Sequence, residues 1–591
     1  MKNNRKLQKK WHNVLDDFRL RLARPDALLQ LALLGLIVGF LTGGVIILFR
    51  LVVEETQDWF LPGNGQDNYE GLGLGVRFLL PLISGILLAL LFFKGAKGIR
   101  VLGVARVLER MSYHQGYLTL RGFLMQFIGA AIAIIGGHSV GREGPHVYLG
   151  AATGSLFGQT LKLPNNSIRT LAASGAAAGI AASFNTPLAG VIFSLEVIMM
   201  EYTLGSFIPV MLAAVAATGL SNAVLGSEPA FLIPNFEFIS FKELPILILL
   251  GVVVGSGAAL FNQTLGYISQ KTQSIDIWWR VIIAGFLVAV IGLIFPEVLG
   301  IGYDSVNRIL LGGFTISALL MLAVAKLLAT SISIGLGVPG GMIGPAFFIG
   351  ATIGASIGYI ASYFFGFDVS HIGFYALLGM GAMMGASLQA PLAALTAIME
   401  LTYNPGVIMP GMLTIVIAQL TASEVFNKPS LFISMLRANG LDYDTNPVMQ
   451  VLRRVGVASV LDAKIKRLSC EITLVRACKL IEEKNLNWLL VDDKDGKLKM
   501  LLPLSELAKY VQTQSPETEF DLLEIPANRL QLSPITVRSN LQQAHERFEH
   551  GAEALYAVFS EKRMTDNSRV YGVLTNAMLE EAYKPKVRNK K

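Results

Sequence analysis

The chain has 591 residues, 53% of them hydrophobic and only 15% charged, with a mean hydropathy of +0.53 and a net charge of +7. A soluble globular chain carries roughly a quarter charged residues, so this composition excludes a protein solvated by water over its whole length. Cys470 and Cys478, the two cysteines, give neither a zinc spacing nor a disulfide framework.

The first segment, 1–26, reads MKNNRKLQKKWHNVLDDFRLRLARPD. It is basic and has no short apolar core before a small-residue cleavage site, so it reads as a cytoplasmic flank rather than a removed signal. Basic flanks serve a membrane protein, and they imply no nucleic-acid partner. From Ala27 to Gln419 long apolar runs follow. Leu28–Phe49, Phe78–Phe93, Pro245–Phe261, Val281–Phe295 and Val407–Thr421 are long enough to cross or nearly cross a hydrocarbon core of ~30 Å. Between them lie runs that are too short, too glycine-rich or broken by proline. Broken helices survive at membrane depth only inside protein or along a watery cavity, and transporters place their substrates there.

One such stretch, Gly141–Gly158, reads GREGPHVYLGAATGSLFG, and Gly341–Gly358 reads GMIGPAFFIGATIGASIG. Gly141, Gly144, Pro145, Gly150, Ala151, Gly154 and Gly158 recur two hundred residues later. A second block follows, in which Gly175, Ser183, Pro187, Leu188, Ala189 and Glu196 match Gly379, Ser387, Pro391, Leu392, Ala393 and Glu400. Shared membrane composition explains scattered glycines, but not two collinear blocks that keep both prolines and a glutamate. The membrane part therefore reads as a duplication, and duplicated halves of transporters are often inverted, with the substrate at their interface.

In both copies glycines and a proline precede apolar helical sequence. Proline suits the first helical turn, and glycine lets backbone approach an object closely. The exposed N–H groups of such a helix start, with the positive end of the dipole, form an anion site that needs no cationic side chain. Glu143 lies beside this cluster, where the second copy has Ile343. A carboxylate at membrane depth is costly and by default functional. Ionised, it competes with the anion; protonated or swung away, it frees the site. Arg142 is either a charge partner or a structural anchor.

After Lys428 the sequence turns soluble in character. A helix (Thr473–Lys484), the strands NWLLVDD and KMLLPL and a helix from Ser505 form one α/β unit, 459–511. The helix Leu541–His550, the strands ALYAVFS and VYGVLT and the helix Asn576–Tyr583 form a second, 521–583. The remaining boundaries are a membrane domain at 27–430, with repeats of about 27–230 and 240–430, a linker at 431–458 and a basic tail at 584–591.

These motifs resemble the CLC family of chloride channels and chloride/proton exchangers. Gly141-Arg142-Glu143-Gly144-Pro145 is similar to the family's glutamate-bearing gate motif, and Gly341–Pro345 to its second-half motif, with Ile343 where phenylalanine is usual. GAAAGIAASFNTPLAGVIFSLEV, Gly175–Val197, is close to the pattern between them. The two C-terminal units resemble a tandem pair of CBS domains.

The resemblance implies an all-α multi-pass membrane protein with two inverted structural repeats and broken helices, followed by an α/β tandem CBS domain. It also implies a homodimer in the lipid bilayer of the cell membrane, with cytoplasmic termini and one chloride pathway per subunit. Glu143 would be the gate, and Gly141, Arg142, Gly144 and the backbone N–H groups of Met342 and Ile343 would belong to the anion site. Three positions depart from the family pattern. The inner proton glutamate falls on Val197, with Glu201 as a substitute or, more blandly, an exposed cytoplasmic residue. The anion-touching tyrosine falls on Phe432, and the serine ligand on Leu102 within Val101–Ala105. No cofactor is required for transport. An adenine nucleotide at Gly572 and Thr575 of the CBS pair stands beside a purely structural, dimerising module.

The expected function is a chloride pathway gated by Glu143, channel-like because of Val197. The alternative is a chloride or fluoride/proton antiporter with a different inner proton route. A membrane-embedded hydrolase has no support: His138 and Ser139 are neighbours in sequence, which makes no nucleophile–base pair, and no metal motif occurs.

Overall fold

The computed structural model describes residues 19, 21–22, 27–62, 67–95, 102–227, 231, 243–365, 370–441, 447–514, 519–559 and 569–583. The basic flank up to residue 18, the tail 584–591 and the loop 560–568 lie outside the described residues. The chain divides into two compact units, one of Leu29–Thr160 with Ile168–Tyr443, the other of Met1–Leu28, Leu161–Ser167 and Asp444–Lys591.

The first unit is helical. Its first copy holds α1 (Leu28–Phe60), α2 (Leu74–Gly95), α3 (Val104–Tyr113), α4 (Leu120–Ile135), α5 (Glu143–Thr160), α6 (Asn165–Phe184), α7 (Pro187–Phe193) and α8 (Leu204–Leu225). The second holds α9 (Leu244–Lys271), α10 (Ile277–Ile294), α11 (Tyr303–Leu310), α12 (Ile316–Gly335), α13 (Ile343–Phe365), α14 (Ser370–Leu388), α15 (Pro391–Thr402) and α16 (Ile408–Leu420). Among the described residues eight helices are long and apolar enough to cross a membrane: α1, α2, α8, α9, α10, α12, α13 and the Pro405–Val425 stretch around α16. The five runs picked out in the sequence all fall on these.

The duplication is visible in the backbone as well. A Cβ on Gly150 would lie 2.1 Å from the Gly175 carbonyl oxygen, and one on Gly350 would lie 2.2 Å from that of Gly379. Glycine is needed because α5 crosses α6, and α13 crosses α14, with backbones in contact. Left-handed turns recur at matched positions: Gly137 (φ 73°) with Gly337 (φ 93°), Asn185 (59°) with Gln389 (55°), and Met200 (54°) with Tyr403 (50°).

The copies are inverted. Gly141 and Gly341 form an antiparallel β-bridge, Gly141 N–H to Gly341 O at 2.8 Å and Gly341 N–H to Gly141 O at 2.6 Å. Further along, the Glu196 carboxylate accepts from the N–H groups of Leu392 and Ala393 at the start of α15 (3.2 and 2.8 Å). Glu400 accepts from Leu188 and Ala189 at the start of α7 (2.9 and 2.7 Å). Equivalent residues exchange partners, which is what a two-fold relation between the copies produces. Each carboxylate also satisfies orphan N–H groups at the positive end of a helix dipole.

Within 431–458, read in the sequence as a linker, the described residues 431–441 and 447–458 carry helices. α17 (Leu431–Ala438) buries Leu431, Phe432 and Leu436 in the core of the membrane unit. α18 (Pro447–Arg454) and the 3-10 turn Val457–Ser459 put Leu452 and Val457 into the core around Ile535, Leu541 and Leu574. Met449 packs against the same core.

That second unit contains a six-stranded sheet in the order β1-β3-β4-β6-β7-β8, from Ile465–Leu468, Trp488–Asp492, Leu498–Pro503, Leu530–Thr536, Ala554–Val558 and Gly572–Thr575. A separate antiparallel pair joins β2 (Glu471–Thr473) to β5 (Glu519–Asp521). β1 pairs in parallel with β3, which pairs antiparallel with β4; β6, β7 and β8 repeat that pattern. α19 (Leu474–Ile481) and α20 (Leu504–Gln514) belong to the first half, α21 (Leu541–Glu549) and α22 (Asn576–Tyr583) to the second. This is the duplicated order expected of a CBS pair. β1 and β6 escaped the sequence reading, since IKRL carries two cations and LQLSPIT a proline.

Candidate functional site

The site grows from two equivalent breaks in the chain. α4 ends at Ile135 and turns through Gly137, whose left-handed backbone suits glycine. Ser139 and Val140 lead to the bridge at Gly141, and α5 starts at Glu143. In the second copy α12 ends, Gly337 turns, the bridge forms at Gly341, and α13 starts at Ile343. The bridge holds the two helix starts against each other inside the unit.

Glu143 is fully buried. One carboxylate oxygen accepts the N–H of Gly344, in the first turn of α13, at 3.2 Å. The other accepts a hydrogen bond from the Tyr303 hydroxyl at the start of α11. The carboxylate of the first repeat therefore occupies the helix N-terminus of the second, the place an anion would take. A Cβ on Gly141 would lie 2.1 Å from the nearer carboxylate oxygen, and one on Gly341 2.8 Å from it. Both glycines leave the space that the carboxylate fills.

The expected anion ligands separate into two groups. Leu102, Met342, Ile343 and Phe432 line one narrow cavity of about 50 Å³, together with Gly103, Gly144 and Arg280. Gly141 requires a correction. Its N–H is taken up by the Gly341 carbonyl, so it shapes the seat of Glu143 and donates nothing to an anion. Gly144 serves close approach as well, since a Cβ there would lie 2.8 Å from Gly341 Cα. Phe432 packs edge-on against Phe193, with ring centroids 6.4 Å apart.

Arg142 is both charge partner and anchor. Its guanidinium pairs with Glu54 at 3.2 Å, which in turn pairs with Arg50 at 2.9 Å, and it lies over the Tyr303 ring at 5.1 Å. Arg50, Glu54, Gln57, Asp67, Arg142, Ile301 and Tyr303 line a second cavity. Leu102 and Gly103, in the first cavity, match Ile301 and Gly302, of which Ile301 lines the second; each pair stands ahead of a short helix that starts after a positive-φ glycine.

Val197 is buried and lines neither cavity. Glu201 is not an exposed residue: it is 8% exposed and accepts from the Ser206 hydroxyl at 3.3 Å. A π-helical turn, Ser194–Met199, and the left-handed Met200 fold it back into the protein. In the C-terminal unit the Thr575 hydroxyl accepts from Met578 N–H at 3.5 Å and caps α22. Gly572 is explained by packing, because a Cβ there would lie 2.8 Å from the Asp462 carbonyl oxygen.

Sequence reasoning missed Tyr303, Lys326 and Arg280. Lys326 is fully buried and donates to the carbonyls of Val298, Gly300 and Ile301 at 3.0–3.2 Å, with Phe348 under its amine at 5.0 Å. Arg280 donates to Gly335 O at 2.9 Å beside the Ile343 cavity. For Tyr303 a signal existed: GIGYD stands in the second copy where VLGVA stands in the first.

Residues 80–423 match the model of the voltage gated chloride channel family. The chain is 30% identical over 422 residues to a putative chloride channel protein ClcB-like of Ralstonia nicotianae, covering 69% of this chain and 97% of that one. It is 29% identical over 433 residues to the H(+)/Cl(-) exchange transporter ClcA of Vibrio cholerae, covering 70% and 90%. Among solved structures, a slow cyanobacterial Cl-/H+ antiporter superposes with a TM-score of 0.62 at 22% identity, over 69% of this chain and 97% of that one. A eukaryotic CLC transporter superposes with a TM-score of 0.58 at 20% identity, over 93% and 98%, and so shares the fold through the C-terminal unit as well. With the inverted repeat, the paired helix starts and the family match in agreement, the chain belongs to the voltage gated chloride channel family, the CLC proteins.

Proposed function

We propose that this protein carries chloride across the membrane along a pathway that Glu143 closes. The observation that supports it is the seat of the carboxylate, buried on the N–H of Gly344 at the positive end of α13. An anion site built from helix ends attracts without binding too firmly, since each end carries about half a unit charge. Ionised Glu143 competes for that place. Beside it, the cavity with Leu102, Met342, Ile343 and Phe432 is lined by backbone of the second helix start, by apolar side chains and by Arg280, with no side-chain hydroxyl from positions 102 or 432. Val197 supports a channel-like mechanism with no inner proton acceptor at that position. The protein acts as a homodimer in the cell membrane with both termini in the cytoplasm, requires no cofactor for conduction, and uses the CBS pair as a structural module.

A second reading, an anion/proton antiporter, draws support from the burial of Glu201 beside Ser206 and from relatives described as exchangers. One relative in structure is described as a fluoride/proton antiporter, at 24% identity and a TM-score of 0.57. One experiment separates the readings: chloride efflux from proteoliposomes with external pH followed at once, for the native protein and Glu143→Gln. Chloride efflux without reciprocal proton movement establishes the channel. Protons driven uphill by the chloride gradient, abolished in Glu143→Gln and in Glu201→Gln, establish the antiporter.

A further inference from the structure

The seat of Glu143 is made by more than glycines and a helix end. Tyr303, the first residue of α11, donates its hydroxyl hydrogen to the carboxylate oxygen that Gly344 does not hold. Its ring is fixed on three sides. The Arg142 guanidinium lies over it at 5.1 Å, and Phe231 and Phe184 pack against it with centroids at 4.9 and 6.2 Å. The phenol so confined donates to the Glu143 carboxylate.

We propose that Tyr303 is a positioning residue that latches the ionised carboxylate of Glu143 into the pathway, so that the strength of its hydroxyl as a donor sets how acidic the outside must be before the gate opens. This rests on the reading of Glu143 as the gate. A carboxylate that accepts a phenol hydrogen is held more firmly than a protonated carboxyl group, because the charged acceptor makes the stronger bond. The latch therefore favours the closed, ionised form and gives way when Glu143 gains a proton. Val104 stands at the equivalent place in the first repeat, where there is no gate to hold.

Other charges face the same place and set the background against which the latch works. Arg142 stands on the turn into α5, and Arg50 and Glu54 on α1. Asp67 precedes the first 3-10 turn, Asp304 follows Tyr303 on α11, and Lys326 projects from α12. Tyr303→Phe leaves all of these in place and removes one hydroxyl, so a change in gating is assigned to the donor.

The test is chloride flux in proteoliposomes against external pH for the native protein, Tyr303→Phe, Glu143→Gln and the double variant. A hydrogen bond to a charged group has a strength that corresponds to about one pH unit or more. Tyr303→Phe is accordingly expected to move the half-maximal pH upward by about one unit, with flux at neutral pH raised severalfold. In the Glu143→Gln background the same change is expected to do nothing. A ring-fluorinated tyrosine at 303, a stronger donor with the same packing, is expected to move the profile the other way, which a merely structural role would not do. If Glu143→Gln fails to raise and flatten the profile, the gate reading itself is wrong. If Glu143→Gln behaves as a gate variant while both replacements at 303 leave the profile where it was, the latch alone is wrong. Should Tyr303→Phe not assemble, the fluorinated protein decides the matter by itself.

Discussion

The start of α5 and the start of α13 are the same backbone used in two ways. Each follows a left-handed glycine and a bridge glycine that pairs with its counterpart. In the first copy that frame carries Arg142 and Glu143, tied into Glu54, Arg50 and Tyr303. In the second it carries Met342 and Ile343 facing a cavity. Duplication supplied two matching helix starts, and divergence at two adjacent side chains put a buried carboxylate on one of them. Attraction belongs to the fold, and control belongs to the side chains.

That comparison can be broken most severely at the bridge. Gly341→Ala would put a Cβ 2.6 Å from Gly144 N and 2.9 Å from Gly141 O, with backbone on both sides unable to yield. Loss of most assembled protein is expected, measured as the monodisperse yield in detergent; a normal yield would show that the helix starts are not held as described. Gly141→Ala meets chiefly the carboxylate of Glu143, the end of a side chain that can leave. Here a folded protein is expected whose chloride flux has lost most of its pH dependence, as in Glu143→Gln. A native pH profile would place the seat elsewhere.

Smaller effects sharpen the symmetry. Glu196→Ala and Glu400→Ala each remove two hydrogen bonds to a helix start, and each is expected to cost about 1–2 kcal/mol. Near-equal drops in thermal unfolding temperature in detergent would support the exchange of partners, and one silent variant would refute it. Smallest of all is Asp462, in the C-terminal unit. Burial raises its carboxyl, but hydrogen bonds from Asn487, the Lys464 N–H and Trp488 outweigh this and hold it below the ordinary carboxylate range. A depressed carboxyl contributes stability above its unfolded value and loses it as pH falls through the folded one. Asp462→Asn is therefore expected to lower the unfolding temperature slightly near neutrality and to make no difference in strong acid, with chloride flux unchanged.

The duplication was legible because the sequence states it twice. Gly150 with Gly350, and Glu196 with Glu400, stand out as collinear matches. What those glutamates cap was not legible, since each reaches across to the other copy, and only the two-fold relation brings α7 and α15 within range. Tyr303 was hidden because its match, Val104, shares neither size nor polarity. Glu201 was misplaced because it follows the end of an apolar run, and nothing in the letters announces that Met200 turns the chain inward.

The bridge between Gly141 and Gly341 has a mechanical consequence. Two halves joined by paired backbone hydrogen bonds at their common axis are pinned like the blades of scissors at the rivet, and they cannot part there to carry cargo from one side to the other. Whatever moves during a transport cycle must be small enough to pass around that rivet. On the reading proposed above, what moves is the Glu143 carboxylate, which can swing without parting the halves at the bridge.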